Sequence, residues 1–354
     1  MQHGPGQATA SPPPAARARL GLLCLPRSVA SAVEDARLAE AVGFTLVGVA
    51  DSQSVFRELY TTMALCAQAT ARVRIGPAVS NPLTRHPAVA ASGLATIEEI
   101  APGRAFFGIG SGDSAVLNLA ERPATLGELR AYVEAVRALQ TVGQATWRGR
   151  PARLTWAHGA VPIYLSAEGP RTLELAGEIA DGVIVNVGLE PALVRDAVAR
   201  VHAGARRAGR DPAAIDLWTL VRANVTDDVA AGIDEIRMEL ASNAHHVFRF
   251  TLEGKRVPGA LADAIRRVQR GYQPAAHEAL GPSPNARLLD AEPALRAWLA
   301  ERFAVVGPPA ACAARLQAVV EAGIGGLLVT GFVAERARLI RALGEQVLPA
   351  LPGA

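Results

Sequence analysis

Four short polar segments hold the residues of this chain that could do chemistry. Residues 166–172 read SAEGPRT. Gly169 permits a sharp turn, and Pro170 suits a first helical position because the N–H it lacks would be unpaired there anyway. Arg171 then stands beside the free N–H groups of a helix N-terminus. Dipole and guanidinium together suit a phosphate, although a plain turn with a surface arginine would read the same way. Residues 108–113 read GIGSGD. Gly110 and Gly112 let backbone amides approach a ligand. Asp113 occupies the place of the last glycine in a GxGxxG fingerprint, so that motif is not met. Residues 80–87 read SNPLTRHP and offer Ser80, Asn81, Thr84, Arg85 and His86. His86 could move a proton, and a lone histidine just as readily serves structure. Asp51 and Ser52 end another apolar run, as site residues or as a cap.

The elements that must position these segments follow from periodicity. Apolar runs at 20–25, 44–50, 72–79, 104–109, 161–166, 182–187, 215–224 and 325–330 read as eight strands. Between them, apolar residues recur at helical spacing. Three junctions, AEAVGFTLVGVAD, AGEIADGVIVNVG and VEAGIGGLLVTG, repeat a helix, a glycine stop and a strand. Glycine tolerates the left-handed conformation that ends a helix. Eight alternations favour an α/β fold closed as a (β/α)8 TIM barrel over a doubly wound open sheet. The four segments follow strands two to five, and Asn186 ends strand six. Carboxyl strand ends are where such folds hold ligands. Residues 147–156 read as a hairpin, and 226–303 as a helical insertion after strand seven. The expected organisation is a disordered tail over 1–19 and one barrel domain over 20–350.

Composition excludes several classes. Basic and acidic residues number 36 and 33, leaving +3, so the sequence pI near 9.0 reflects no basic face. With 5% aromatics there is no stacking platform for nucleic acid. Lys255 is the one lysine, in a polar segment read as remote from the strands, which argues against Schiff-base chemistry. Cys24, Cys66 and Cys312 are scattered, so neither zinc nor a disulfide framework is expected and a cytoplasmic setting fits. No secretory signal and no membrane span are expected. The strand ends carry no His/Asp/Glu set at metal-ligand spacing, so no metal is expected.

Three stretches together resemble the bacterial luciferase-like flavoprotein superfamily. They are IGPAVSNPLTRHPAVAASGLATIEEIAPGRAFFGIGSGD, VPIYLSAEGPRTLELAGEIADGVIVNVG and FAVVGPPAACAARLQAVVEAGIGGLLVTG. The likeness is to its deazaflavin-using branch, typified by methylenetetrahydromethanopterin reductase, and spans 20–348. It implies a barrel that binds coenzyme F420 or FMN at the carboxyl strand ends. It implies a non-proline cis peptide at Ala78–Val79 behind the tricyclic ring, with Ser80 and Asn81 near that ring. Gly110, Gly112 and Asp113 would pass close to the cofactor. Ser166, Glu168, Gly169, Pro170 and Arg171 would frame its phosphate, and Asn186 would meet it too. Related deazaflavin enzymes often carry Asp-His after strand two; this chain has Asp51-Ser52. Asp51, Ser52 and His86 therefore stand as candidates for the proton step.

The expected function is hydride transfer between coenzyme F420 and a small electrophilic substrate, in a homodimer as is common in the family. The alternatives are an FMN-dependent monooxygenase and a barrel that binds cofactor without catalysis. In the insertion, His245, His246, Phe248 and Phe250 read as packing or solvated surface rather than pocket lining.

Overall fold

The computed structural model describes residues 17–157, 159–279 and 283–351. Eight parallel strands carry the fold. They are β1 (Arg19–Cys24), β2 (Leu46–Val49), β3 (Arg74–Pro77), β4 (Phe107–Ile109), β5 (Ile163–Ala167), β6 (Gly182–Val185), β7 (Asp216–Val225) and β8 (Gly326–Thr330). Their paired order is β3-β2-β1-β8-β7-β6-β5-β4. Parallel bridges Ile75–Ala105 and Ser80–Ile109 bring β3 to β4 and close the barrel. Most of the expected tail lies outside the described residues; Arg19 already belongs to β1.

The β3–β4 seam is unusual. Between its two bridges β3 advances five residues and the β4 side four. The extra residue is taken up where the Ala78–Val79 peptide is cis. Two glycines allow the close approach. A Cβ on Gly76 would stand 2.0 Å from the Phe106 carbonyl oxygen, and one on Gly108 would stand 2.1 Å from that of Pro77.

Eight helices wrap the barrel: α1 (Val29–Ala41), α2 (Leu59–Ala69), α3 (Pro87–Ile100), α4 (Leu126–Thr141), α5 (Pro170–Ile179), α6 (Pro191–Arg207), α7 (Pro309–Glu321) and α8 (Arg336–Ala342). Local chemistry sets their starts. Ser28 caps α1, Thr125 and Glu128 form a capping box on α4, and proline opens α3, α5, α6 and α7. Of the three glycine junctions, two stop a helix in the left-handed region, at Gly43 (φ 94°) and Gly323 (φ 113°). The third works otherwise. Gly182 lies within β6, where its missing side chain leaves room for the Tyr164 ring.

Outward strand residues such as Leu20, Leu22, Val47 and Val329 pack against the helices. Inward residues Phe106, Tyr164, Ile184, Trp218 and Leu328 fill the lumen. At the amino end of the lumen, Asp216 accepts from Arg19, Tyr164 and Trp218 at 2.6, 2.6 and 2.9 Å. That end is plugged, which leaves open space at the carboxyl ends.

Between β7 and β8 lie helices Val229–Glu235, Arg237–His246, Ala262–Gly271, Pro284–Arg287 and Pro293–Phe303, as the insertion predicts. A strand at Ala304–Gly307, not foreseen, then pairs in parallel with β7. The hairpin is Gln144–Trp147 against Arg150–Arg153, earlier than the expected 147–156. Its turn is Arg148-Gly149, both at positive φ. Trp147 meets Tyr132 of α4 edge-on at 5.4 Å, which fixes that register. No helix among the described residues is long and apolar enough to cross a membrane.

Candidate active site

A cavity of about 930 Å³ opens at the carboxyl ends of the strands. Fifteen of the sixteen candidate residues line it: Asp51, Ser52, Ala78, Val79, Ser80, Asn81, Gly110, Gly112, Asp113, Ser166, Glu168, Gly169, Pro170, Arg171 and Asn186. His86 does not. Its exposed ring caps α3, with Nδ1 accepting from the Ala88 N–H at 3.1 Å. Pro87 at the first helical position leaves that cap as its role, so His86 is removed from the proton candidates.

Asp51, directly beyond β2, is fixed. Its Oδ2 accepts from Ser80 Oγ at 2.6 Å and from Arg85 Nη1 at 2.5 Å. The carboxylate orients the Ser80 hydroxyl behind the cis peptide. Ser52 Oγ lies 2.8 Å from Ser114 Oγ. Asn81 Oδ1 accepts from the Leu83 and Thr84 N–H groups at 2.9 and 3.0 Å, stabilising the turn. Its Nδ2 is buried and has no hydrogen-bond partner among the described residues. A buried donor without a partner loses free energy, so a ligand acceptor would satisfy it.

On the other side of the mouth, α5 begins without a side-chain cap at Gly169, with Pro170 next. A Cβ on Gly169 would meet nothing within 4 Å, so the helix end faces open space. Arg171 is exposed beside it. This is the donor set a phosphate needs. Glu168 has a different task. Its Oε1 accepts from Asn186 Nδ2 at 2.9 Å and lies 2.8 Å from His246 Nε2. Asn186 Oδ1 in turn accepts from Arg222 Nη1 at 2.7 Å.

The insertion therefore reaches the site, and His246 does so contrary to the reading of that residue as packing or surface. His246 Nδ1 lies 2.9 Å from Asp113 Oδ2, so its ring stands between carboxylates of the β4 and β5 loops. The Asp113 contact is close without hydrogen-bond alignment. Burial disfavours the imidazolium, but the Glu168 and Asp113 charges outweigh it and push the His246 pKa up to about 9. Burial also opposes charge on Asp113; His246, His245 and Arg249 together hold its pKa well below the usual carboxylate range. Arg249 donates to Asp113 Oδ1 at 2.5 Å and to the Gly112 carbonyl at 2.6 Å.

Lys255 is likewise not remote. It lines the cavity, buried, with Nζ donating to the Val247 carbonyl. Burial lowers its pKa. His245 stacks on Tyr272 at 4.2 Å, and Phe248 packs in the core, as expected of packing residues. Phe250 lines the cavity. Sequence spacing carried no signal for the contacts of His246 with Asp113 and Glu168 or of Arg249 with Asp113, because they join residues far apart in the chain. The three cysteines are free and buried, and burial raises the Cys24 pKa. Among the described residues no group of three or more His, Cys, Asp or Glu could hold a metal ion.

A closed parallel barrel with a cis bulge, an uncapped helix N-terminus and a cavity joining them defines a (β/α)8 protein with its pocket at the carboxyl strand ends. The chain belongs to the luciferase-like monooxygenase family, whose model matches residues 5–325. It is 28% identical over 324 residues to 5,10-methylenetetrahydromethanopterin reductase of Methanolobus tindarius, covering 88% of this chain and 94% of that one. It is 30% identical over 334 residues to F420-dependent glucose-6-phosphate dehydrogenase of Beutenbergia cavernae, covering 89% and 91%. Among solved structures, coenzyme F420-dependent tetrahydromethanopterin reductase from Methanopyrus kandleri superposes with a TM-score of 0.74 at 22% identity. That match covers 94% of this chain and 99% of the other and shows the shared fold.

Proposed function

We propose that this chain is a coenzyme F420-dependent oxidoreductase that passes a hydride between the deazaflavin and a small organic substrate. One observation carries this reading: a single cavity joins the cis bulge at Ala78–Val79 to the uncapped start of α5, in a chain alike over nearly its whole length to enzymes named for F420 or methanopterin chemistry. The residues fit the cofactor. Asn81 Nδ2 is an orphaned buried donor beside the bulge, and the α5 N-terminus with Arg171 suits a phosphodiester.

In this reading Ala78 and Val79 support one face of the ring, and Ser80 and Asn81 offer polar contacts at its edge. Gly110 and Gly112 allow close backbone approach. Gly169, Pro170 and Arg171 hold the phosphate, with Ser166 at the wall. When bound, the deazaflavin supplies or takes the hydride at carbon five. The protein's own part is position, electrostatics and exclusion of water. His246 and Arg249 tie the insertion over the mouth, and Asp51 keeps the Ser80 hydroxyl directed. Asp113, Glu168 and Asn186 act through these ties. The enzyme works as a homodimer in the cytoplasm.

A second reading, an FMN-dependent monooxygenase, is favoured by the description of the matching family. Anaerobic assay with reduced F420 and a panel of carbonyl compounds separates the two. The account predicts consumption of reduced deazaflavin without oxygen. Turnover only with reduced FMN and oxygen would establish the second reading instead.

A further inference from the structure

Hydride transfer to a carbon–heteroatom double bond leaves a proton to be supplied, and the cavity holds few groups able to supply it. Asp51 is committed to Ser80 and Arg85. Both His246 nitrogens stand within 3 Å of carboxylates. Lys255 Nζ donates to the Val247 carbonyl. Ser52 is engaged with Ser114. His277 also lines the cavity, from the insertion, and the sequence pattern singled it out in no way.

The segment that carries His277 is tied to the β2 loop through the short helix between them. Gln53 Nε2 donates to the Ala115 carbonyl at 2.7 Å, so the β2 loop and the short helix Ser114–Leu117 are locked together. Asn118, ending that helix, donates to the Pro274 carbonyl at 3.1 Å. Arg27, just past β1, reaches the Glu278 carbonyl at 3.3 Å. The segment bearing His277 is thus fastened over the β1, β2 and β4 ends. His277 Nδ1 lies 2.6 Å from the Tyr272 hydroxyl, which can donate to a bare nitrogen or accept from a protonated one. That contact holds the ring in either protonation state. Nε2 makes no hydrogen bond among the described residues and stands 3.6 Å from Glu278 Oε1, another cavity-lining group. Glu278 adopts φ 51°, a left-handed conformation that costs a non-glycine residue free energy and is common at working sites.

We propose that His277 is the proton-exchanging residue of this enzyme, delivered by the insertion to the mouth of the cavity. The inference rests on the oxidoreductase reading above. As the hydride bonds to the substrate carbon, the π pair moves to the heteroatom. That atom takes the Nε2 proton, His277 becomes neutral, and solvent reprotonates it. Oxidation of an alcohol reverses each movement. Tyr272 is the positioning residue.

The test uses the full chain. Diethyl pyrocarbonate labelling, mapped by mass spectrometry, should modify His277 in the cofactor-free protein, and F420 should protect it. With reduced F420 and acetone, acetaldehyde or benzaldehyde, His277→Gln should slow hydride transfer about 100-fold. F420 affinity should hold, and added imidazole should restore part of the rate. Tyr272→Phe should fold, bind F420 and show a smaller loss of rate with KM unchanged. An unlabelled His277 beside a labelled His86 would overturn the proposal. So would wild-type rates in His277→Gln. Failure of the wild-type chain to bind F420 is read separately, by titration. It would remove the function reading and this inference with it, whatever the labelling shows.

Discussion

His246 Nε2 lies 2.8 Å from Glu168 Oε1, joining the insertion to the loop beyond β5. The contact ties the start of α5, where a phosphate would sit, to a segment some 80 residues later in the chain. Holding the insertion in place and holding a phosphate at α5 would thereby be coupled.

This contact has a pH signature. The His246 pKa rises from 6.5 to about 9 in the fold. A pKa raised by folding stabilises fully below the unfolded value and fades as pH climbs through the folded one. Urea unfolding of wild type and His246→Gln should therefore differ by roughly 1–3 kcal/mol near pH 6. The difference should shrink between pH 6.5 and 9 and be smallest at pH 10. A gap that widened with pH would contradict the ion pairs.

Arg85 and Asp51 form a buried pair, with side chains 15% and 2% exposed. Arg85→Ala strands the carboxylate and should cost about 3–5 kcal/mol. Adding Asp51→Asn should recover much of that loss, because no charge is then left unpaired. A double-mutant cycle in urea measures it; strict additivity would show that the pair is uncoupled.

The barrel seam sets a steric prediction. Gly108→Ala places a Cβ 2.1 Å from the Pro77 carbonyl oxygen. The atom met at that distance is backbone, so no flexible side chain can yield. The variant should lose about 4 kcal/mol or more, or fail to fold. Gly127, near the start of α4, meets nothing within 4 Å, and Gly127→Ala should stabilise by up to about 1 kcal/mol. Thermal unfolding of the two variants gives the comparison.

Arg171 is exposed and can be removed without touching the core. Arg171→Ala should leave the melting temperature unchanged and weaken F420 binding about 10-fold, a loss near 1.4 kcal/mol. Fluorescence titration reads the affinity. Unchanged affinity would move the phosphate away from α5.

Much of this architecture was legible because it is written locally. Apolar runs, proline starts and the stops at Gly43 and Gly323 mark strands and helices within a few residues of each other. Fifteen candidate residues came together because each sits at or shortly beyond the carboxyl end of a strand, and barrel geometry gathers strand ends. The cis peptide at Ala78–Val79 followed from resemblance, since nothing in composition or spacing encodes it. What stayed hidden is non-local. His246 gains its meaning from Asp113 and Glu168 across the mouth, while Lys255 and His277 reach the cavity only through the course the insertion takes. His86 misled because a histidine before proline reads alike as catalyst or cap, and only the course of α3 decides.

The central claim is that the cavity is a deazaflavin site, and equilibrium titration of the purified chain tests it most directly. Deazaflavin fluorescence should change saturably with one F420 per chain, and FMN in excess should fail to displace it. Tight FMN binding that F420 cannot compete away would contradict the account.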